Sequence, residues 1–217
     1  MIEHVVRPGE YLSKIAKEHG FTDYLTIWNH PANAGLKARR HNPNVLLEGD
    51  VLYIPVRQAK EAARATENRH RFVANRKPLM LRLALEDAFL KPLANTPCEL
   101  TVKGQTVKLV SDGKGKIEHE IPPDAEEASL VIKDPKASFN GLVIPILIGH
   151  LNPIDTLSGQ KARLNNLGYF AGPLDQEDEA LFRSAVEEFQ CEHMAKSDVD
   201  GISGPKTQAK LKAVHGC

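Results

Sequence analysis

Apolar positions recur at helical spacing at both ends of the chain and with a period of two in the middle. Near the start, Leu12, Ile15, Ala16 and His19 fall at i, i+3, i+4, i+7 and predict an amphipathic helix. Gly20 stands where the glycine after a helix end belongs. Asp23 is placed to cap a second helical turn through Tyr24 to Trp28, and a third short helix is expected from Asn33 through Arg40. Two strands bracket these helices. The first is His4-Val5-Val6-Arg7, ending in the Pro8-Gly9 turn; the second contains Leu52 and Ile54 and stops at Pro55. A strand–helix–helix–strand unit of 57 residues must lay its helices on one face of a two-stranded sheet. Trp28 is expected in its core, because a lone Trp in so small a unit anchors packing.

The pattern then changes. Gln58 to Asn68 is rich in Ala, Glu and Arg and has no apolar stripe, so residues 58–70 read as a linker or a short solvated helix. From Arg71 the period is two, with Leu79, Leu81, Leu83 and Leu85 on one face. Further strands are predicted at 98–102, 106–110, 116–121 and 128–132. The turn sequences Lys103-Gly104, Asp112-Gly113-Lys114-Gly115 and Pro122-Pro123-Asp124 separate them. Evenly spaced strands of this kind predict a β-sandwich over residues 71–149. Beyond it, three apolar faces (Leu157/Gln160/Leu164/Leu167, Leu181/Ala185/Val186/Phe189 and Thr207/Leu211/Val214) predict a three-helix bundle over residues 150–217. The fold class is therefore multidomain α+β.

Composition narrows the function classes. Apolar residues make up 41% and charged residues 26%, ordinary values for a soluble globular chain. Lys plus Arg balances Asp plus Glu at 28 each, leaving no global field to attract nucleic acid or an anionic membrane. The longest apolar run, Gly141 to Gly149, is too short for a bilayer helix and contains Pro145, so no membrane insertion is expected. The first residues lack the basic and apolar regions of a signal peptide. Cys98, Cys191 and Cys217 are scattered and odd in number, as in reduced cytosolic proteins, and Cys217 is expected to be a mobile thiol. Synthesis in the cytoplasm is the expectation. No cofactor or metal is expected. In an alternating strand His119 points away from Glu118 and Glu120, and no histidine falls at zinc-hydrolase spacing. The acidic run Gln176-Glu177-Asp178-Glu179 is expected to be the solvated first turn of a helix rather than a catalytic pair.

Three resemblances follow from specific residues. Pro8-Gly9-Glu10, Leu12, Ile15-Ala16, Gly20, Asn42-Pro43-Asn44, Leu47, Gly49-Asp50, Leu52 and Ile54-Pro55 resemble the LysM module across residues 1–57. The resemblance implies a βααβ fold and a shallow groove for N-acetylglucosamine-containing glycan. Gly9, Glu10, Tyr11 and Leu12 would form one wall, and Asn44, Val45, Leu46 and Leu47 the other. Tyr11 departs from the usual Thr, which removes a helix-capping hydroxyl worth ~1 kcal/mol. Its ring either stacks on a sugar face or fills the groove. Lys91-Pro92-Leu93 and Ser111-Asp112-Gly113-Lys114-Gly115 resemble the transthyretin-like or carboxypeptidase-regulatory-like sandwich, which implies a spacer or docking domain.

The stretches Gln160–Tyr169, Gly172-Pro173-Leu174-Asp175, Ala185–Gln190 and Asp200–Thr207 resemble the peptidoglycan-binding three-helix domain. That resemblance implicates Tyr169, Asp175, Phe189, Gln190, Asp200, Gly201 and Thr207 in binding. Gln176 to Glu179 replaces the Asp-Gly…Gly…Thr turn usual in the first half, so that turn must be rebuilt. The three modules leave no stretch of about 100 residues for a catalytic domain, and a non-enzyme is expected. The expected function is bivalent peptidoglycan binding, in which two weak modules gain avidity on one sacculus. The module order also resembles proteins of type VI secretion and phage-tail-like systems. It implies, as the alternative, an adaptor that docks on spike or effector proteins and meets the cell wall after non-classical export. A cell-wall hydrolase accessory is the lesser alternative.

Overall fold

The protein is described by a computed structural model for residues 1–57, 63–71, 76–87, 89–135 and 139–217. It is mixed α+β. Strands β1 (Ile2–Val5) and β2 (Val51–Ile54) pair antiparallel in register Ile2↔Ile54 to Val5↔Val51. The expected strand at His4–Arg7 thus begins two residues earlier, and its end continues as single ladder bonds, Val6 N to Asp50 O and Gly49 N to Val6 O, both 2.9 Å. Between the strands lie α1 (Leu12–Glu18), α2 (Leu25–Trp28), a 3₁₀ turn at Pro31–Asn33 and α3 (Ala34–Arg39). Leu12, Ile15, Ala16, Ile27, Trp28, Leu36, Leu46, Leu52 and Ile54 form one core, so Trp28 packs inside. Buried Asn33 knits the unit together: its amide donates to Ile27 O and Tyr53 O, and its carbonyl accepts from Tyr53 N.

The start of α1 is capped from an unexpected place. Tyr11 precedes α1 and contributes no capping bond. Asn44 Oδ1 takes that role from across the chain, accepting from Ser13 N at 3.0 Å and Ser13 Oγ at 2.9 Å. Asp23, one residue before the N-cap Tyr24, accepts from Leu25 N at 2.9 Å and so serves the start of the next helix.

In the stretch 58–68, residues 58–62 lie outside the described residues, and 63–68 are exposed coil and turn. The middle unit holds β3 (Leu79–Ala84), β4 (Pro97–Val102), β5 (Gln105–Val110), β6 (Lys116–Ile121), β7 (Glu127–Ile132) and β8 (Val143–Leu147). Strands β3 and β6 form one antiparallel sheet; β5-β4-β7-β8 form another. Alternation along the strands supplies one core from both sheets: Leu85, Ile117 and Ile121 from the first side, Cys98, Leu100, Leu130 and Ile132 from the second. The β4–β5 hairpin turns on Lys103 and Gly104, at φ +48° and +76°. Strand β8 falls within the apolar run that contains Pro145. It is an edge strand, the place where a residue without an N–H is tolerated in a sheet.

The C-terminal unit contains α4 (Leu157–Asn166), α5 (Glu179–His193), a 3₁₀ turn (Lys196–Asp198) and α6 (Pro205–His215). Leu164, Tyr169, Ala171, Ala185, Val186, Phe189 and Leu211 make its core. Thr156 caps α4 and Asp178 caps α5, accepting from Leu181 N at 3.0 Å. The acidic run therefore leads into a helix start, with Glu179 in the first turn.

The face expected for α4 differs from the observed one. Leu157 is exposed, whereas Lys161 and Arg163 are almost fully buried. Their charged ends find backbone carbonyls instead of water. Lys161 Nζ donates to Pro173 O and Gln176 O. Arg163 donates to Asn152 O at 2.8 Å, Gly159 O at 2.7 Å and Cys217 O at 2.9 Å, so the Cys217 backbone is tethered rather than mobile. Among the described residues no helix is long and apolar enough to cross a membrane.

Candidate glycan-binding surfaces

The two expected walls of the N-terminal groove are brought together. The Ser13–Asn44 bonds join them at the start of α1. Glu10 is pinned, accepting from Arg7 N at 2.9 Å and bonding His4 Nε2 at 2.8 Å. Leu12, Val45 and Leu46 are buried, while Gly9, Asn44 and Leu47 keep partial exposure.

Tyr11 settles into neither sequence alternative. It leaves the N-terminal unit, is 1% exposed, and donates its hydroxyl to Ala125 O of the middle unit at 2.6 Å. Burial raises its phenol pKa, and the Asp124 and Glu126 carboxylates add to the shift. Two lysines of α1 flank this contact. Lys14 meets Glu126 and Lys17 meets Asp124, each at 2.6 Å. Lys103 shares the same Asp124 oxygen, and together with Lys17 it holds the Asp124 carboxyl at about 2. A second tie joins the unit to the C-terminal side, where buried Arg40 binds Asp50 at 2.9 Å and Asp155 at 3.2 Å.

In the C-terminal unit the intact Asp200–Thr207 turn is organised by one side chain. Gln190, 1% exposed on α5, donates through Nε2 to Asp200 Oδ1 (2.9 Å), Ile202 O (3.1 Å) and Thr207 Oγ1 (3.0 Å). Its carbonyl accepts from Asp200 N at 3.0 Å and Gly201 N at 2.9 Å. Gly201 sits at φ +70°, and a Cβ there would come within 2.6 Å of Glu187 Oε1, so both conformation and space call for glycine. Gln190, Gly201 and Thr207 are buried and shape this turn, with the Asp200 carboxylate tied into the same network; Phe189 lies in the core.

Tyr169 is likewise internal. It is 4% exposed, packs edge-on against Phe189 at 5.6 Å, and donates to Glu192 at 2.6 Å while lying 2.9 Å from His193 Nε2. Burial, then the bond to Glu192, raises its pKa.

The first turn is rebuilt from α4. Asn165 Oδ1 accepts from Ala171 N and Asn165 Nδ2 donates to Gly172 O, while the buried Lys161 ammonium binds the carbonyls of Pro173 and Gln176. Asp175 is exposed beside it. What remains open on the two turns is Phe170 at 67%, Leu174 at 44% and Ile202 at 63% exposure. Leu174 and Ile202 lie inside the motif stretches without a binding role assigned to them, and Phe170 follows directly on Tyr169. Among the described residues no group of three or more His, Cys, Asp or Glu is placed to hold a metal.

The family model for a peptidoglycan binding domain matches residues 160–211, from the first helix of this unit into the last. Neither the curated proteins nor the solved structures contain a match to the chain.

Proposed function

We propose that the protein is a non-catalytic peptidoglycan binder whose wall-facing part is the C-terminal unit. The observation that carries this reading is the family match laid over an Asp200–Thr207 turn that Gln190 holds by hydrogen bonds, with the Ile202 side chain left open at its surface. In this account the motif residues Gln190, Asp200, Gly201 and Thr207 hold the surface, and Phe170 and Ile202 meet the ligand. An apolar, aromatic-bearing surface suits the pyranose faces and methyl groups of a muropeptide.

The N-terminal unit is read as a LysM-type module and the middle unit as a transthyretin-like or carboxypeptidase-regulatory-like sandwich acting as spacer and docking surface. The non-catalytic reading rests on all three segments being accounted for as binding or spacing modules. A second reading, protein docking by the N-terminal unit, draws support from the burial of Tyr11 against the middle unit. The module order fits a protein that travels with the spike or an effector of a contractile secretion system and acts at the periplasmic cell wall.

Co-sedimentation with purified sacculi tests the wall-binding function. The protein is expected in the pellet; recovery in the supernatant would leave docking as the surviving role. A clearing zone in a peptidoglycan zymogram would overturn the non-catalytic reading.

A further inference from the structure

We infer that the protein holds its N-terminal glycan groove in a closed, self-inhibited state, using the middle unit as the latch. The inference rests on the LysM-type reading of residues 1–57.

The loop Gly9–Leu12 would present backbone groups to an N-acetyl sugar, and that loop is covered. Gly149, at φ +85°, approaches so closely that a Cβ on it would lie 2.5 Å from the Tyr11 ring and 2.7 Å from the Gly9 carbonyl oxygen. A Cβ on Gly9 would meet the His150 ring at 3.3 Å. The ledge Asp124-Ala125-Glu126 then receives three successive groups from the α1 face, Lys17, the Tyr11 hydroxyl and Lys14, each at 2.6 Å.

The chemistry of the latch suits reversal. Besides the Tyr11 hydroxyl and the packing of Gly149 on the Tyr11 ring, it consists of partly exposed ion pairs, which are individually weak and screened by salt. Next to them lies a cleft of about 810 Å³, lined by Lys14, Lys17, Thr101, Lys103 and Ser129. Glycan and the Gly149–His150 segment compete for one loop. The apparent affinity for glycan is then the open-state affinity reduced by the fraction open. A ligand that binds only the open state shifts that fraction.

The test uses the full chain and two independent openings. Gly149→Ala drives a methyl group into Tyr11 and Gly9. Lys14→Glu with Lys17→Glu turns two attractions on the ledge into repulsions while altering only partly exposed groups. Opening is read as a larger radius of gyration by X-ray scattering, with circular dichroism to verify folding. Binding of a peptide-free N-acetylglucosamine pentasaccharide is read by calorimetry.

The expected result is that both variants open and bind at least tenfold more tightly than wild type. Adding Glu126→Lys to the lysine variant should restore one ion pair on the ledge with its charges exchanged and move the affinity back toward that of wild type. Wild-type binding as tight as that of the opened variants overturns the latch and leaves the LysM-type reading standing. Variants that open and still bind no pentasaccharide overturn both. Folded variants that neither open nor gain affinity show that these contacts do not hold the loop, which also overturns the inference.

Discussion

The loop Gly9–Leu12 and the turn Asp200–Thr207 are both expected to meet cell-wall glycan, and they are held in opposite ways. The C-terminal turn is fixed from inside its own unit, by five bonds to Gln190, so its outer side chains stay open. The N-terminal loop, besides the Glu10 and Asn44 bonds of its own unit, is held from outside by Ala125 and Gly149 of the middle unit, so the surface that would bind is the surface that docks. A binding surface stays available only when its rigidity comes from groups behind it.

The sharpest way to break the contrast is Gln190→Ala. It strands several buried polar groups at once, each costing roughly 1–3 kcal/mol, so a loss of at least about 3 kcal/mol in urea unfolding is expected, with sacculus binding lost alongside. Of similar size is the effect of acid on the same unit. Burial, then the nearby Arg163 charge, lowers the His215 pKa from 6.5 to about 4. The unfolded chain takes up a proton that the folded chain refuses. The stabilising contribution is therefore complete above pH 6.5, lost as pH falls from 6.5 to about 4, and level below that. Unfolding free energies at pH 7 and pH 4 should differ by on the order of 3 kcal/mol through this group, and His215→Phe should flatten that part of the profile.

Changes at the N-terminal loop are expected to be smaller, because its supports are shared out. Asn44→Ala removes the side-chain cap that Asn44 places on α1 and should cost ~1 kcal/mol in thermal or urea unfolding. Tyr11→Phe removes one buried hydroxyl bond and should cost about 1 kcal/mol, read as weaker protection of the Gly9–Leu12 amides in hydrogen exchange. An equal effect of Tyr11→Phe and Gln190→Ala would erase the distinction between the two surfaces.

Much of the architecture was legible because it is local. Period-two leucines placed β3, helical spacing placed α1 and α5, and Gly20 and Lys103-Gly104 marked the chain reversals. Asp178 as a helix start followed from an acidic run at the positive end of a helix. What could not be read depends on partners far away in the chain. Lys161 and Arg163 look like solvated helix positions until the carbonyls that receive them are in place. The run around Pro145 was weighed only as a bilayer span and no strand was expected there, yet an edge strand tolerates the proline. Tyr11 looked like a choice between making and filling a groove, since Ala125 lies 114 positions away. At the C-terminal site the resemblance implicated Tyr169, Asp175, Phe189, Gln190, Asp200, Gly201 and Thr207 in binding, whereas the structure buries Tyr169 and Phe189 in the core and Gln190 and Thr207 within the turn. The exposed Ile202 stood inside the Asp200–Thr207 stretch with no binding role assigned to it, and the exposed Phe170 stood just outside the Gln160–Tyr169 stretch.

The most direct test is co-sedimentation of the full chain with purified sacculi, comparing wild type with Phe170→Ser and Ile202→Glu, both at exposed positions that leave the core untouched. The account predicts wild type in the pellet and a tenfold or greater loss of binding in each folded variant. Wild type in the supernatant, or variants that pellet as fully as wild type, would contradict the placement of wall recognition on the C-terminal turns.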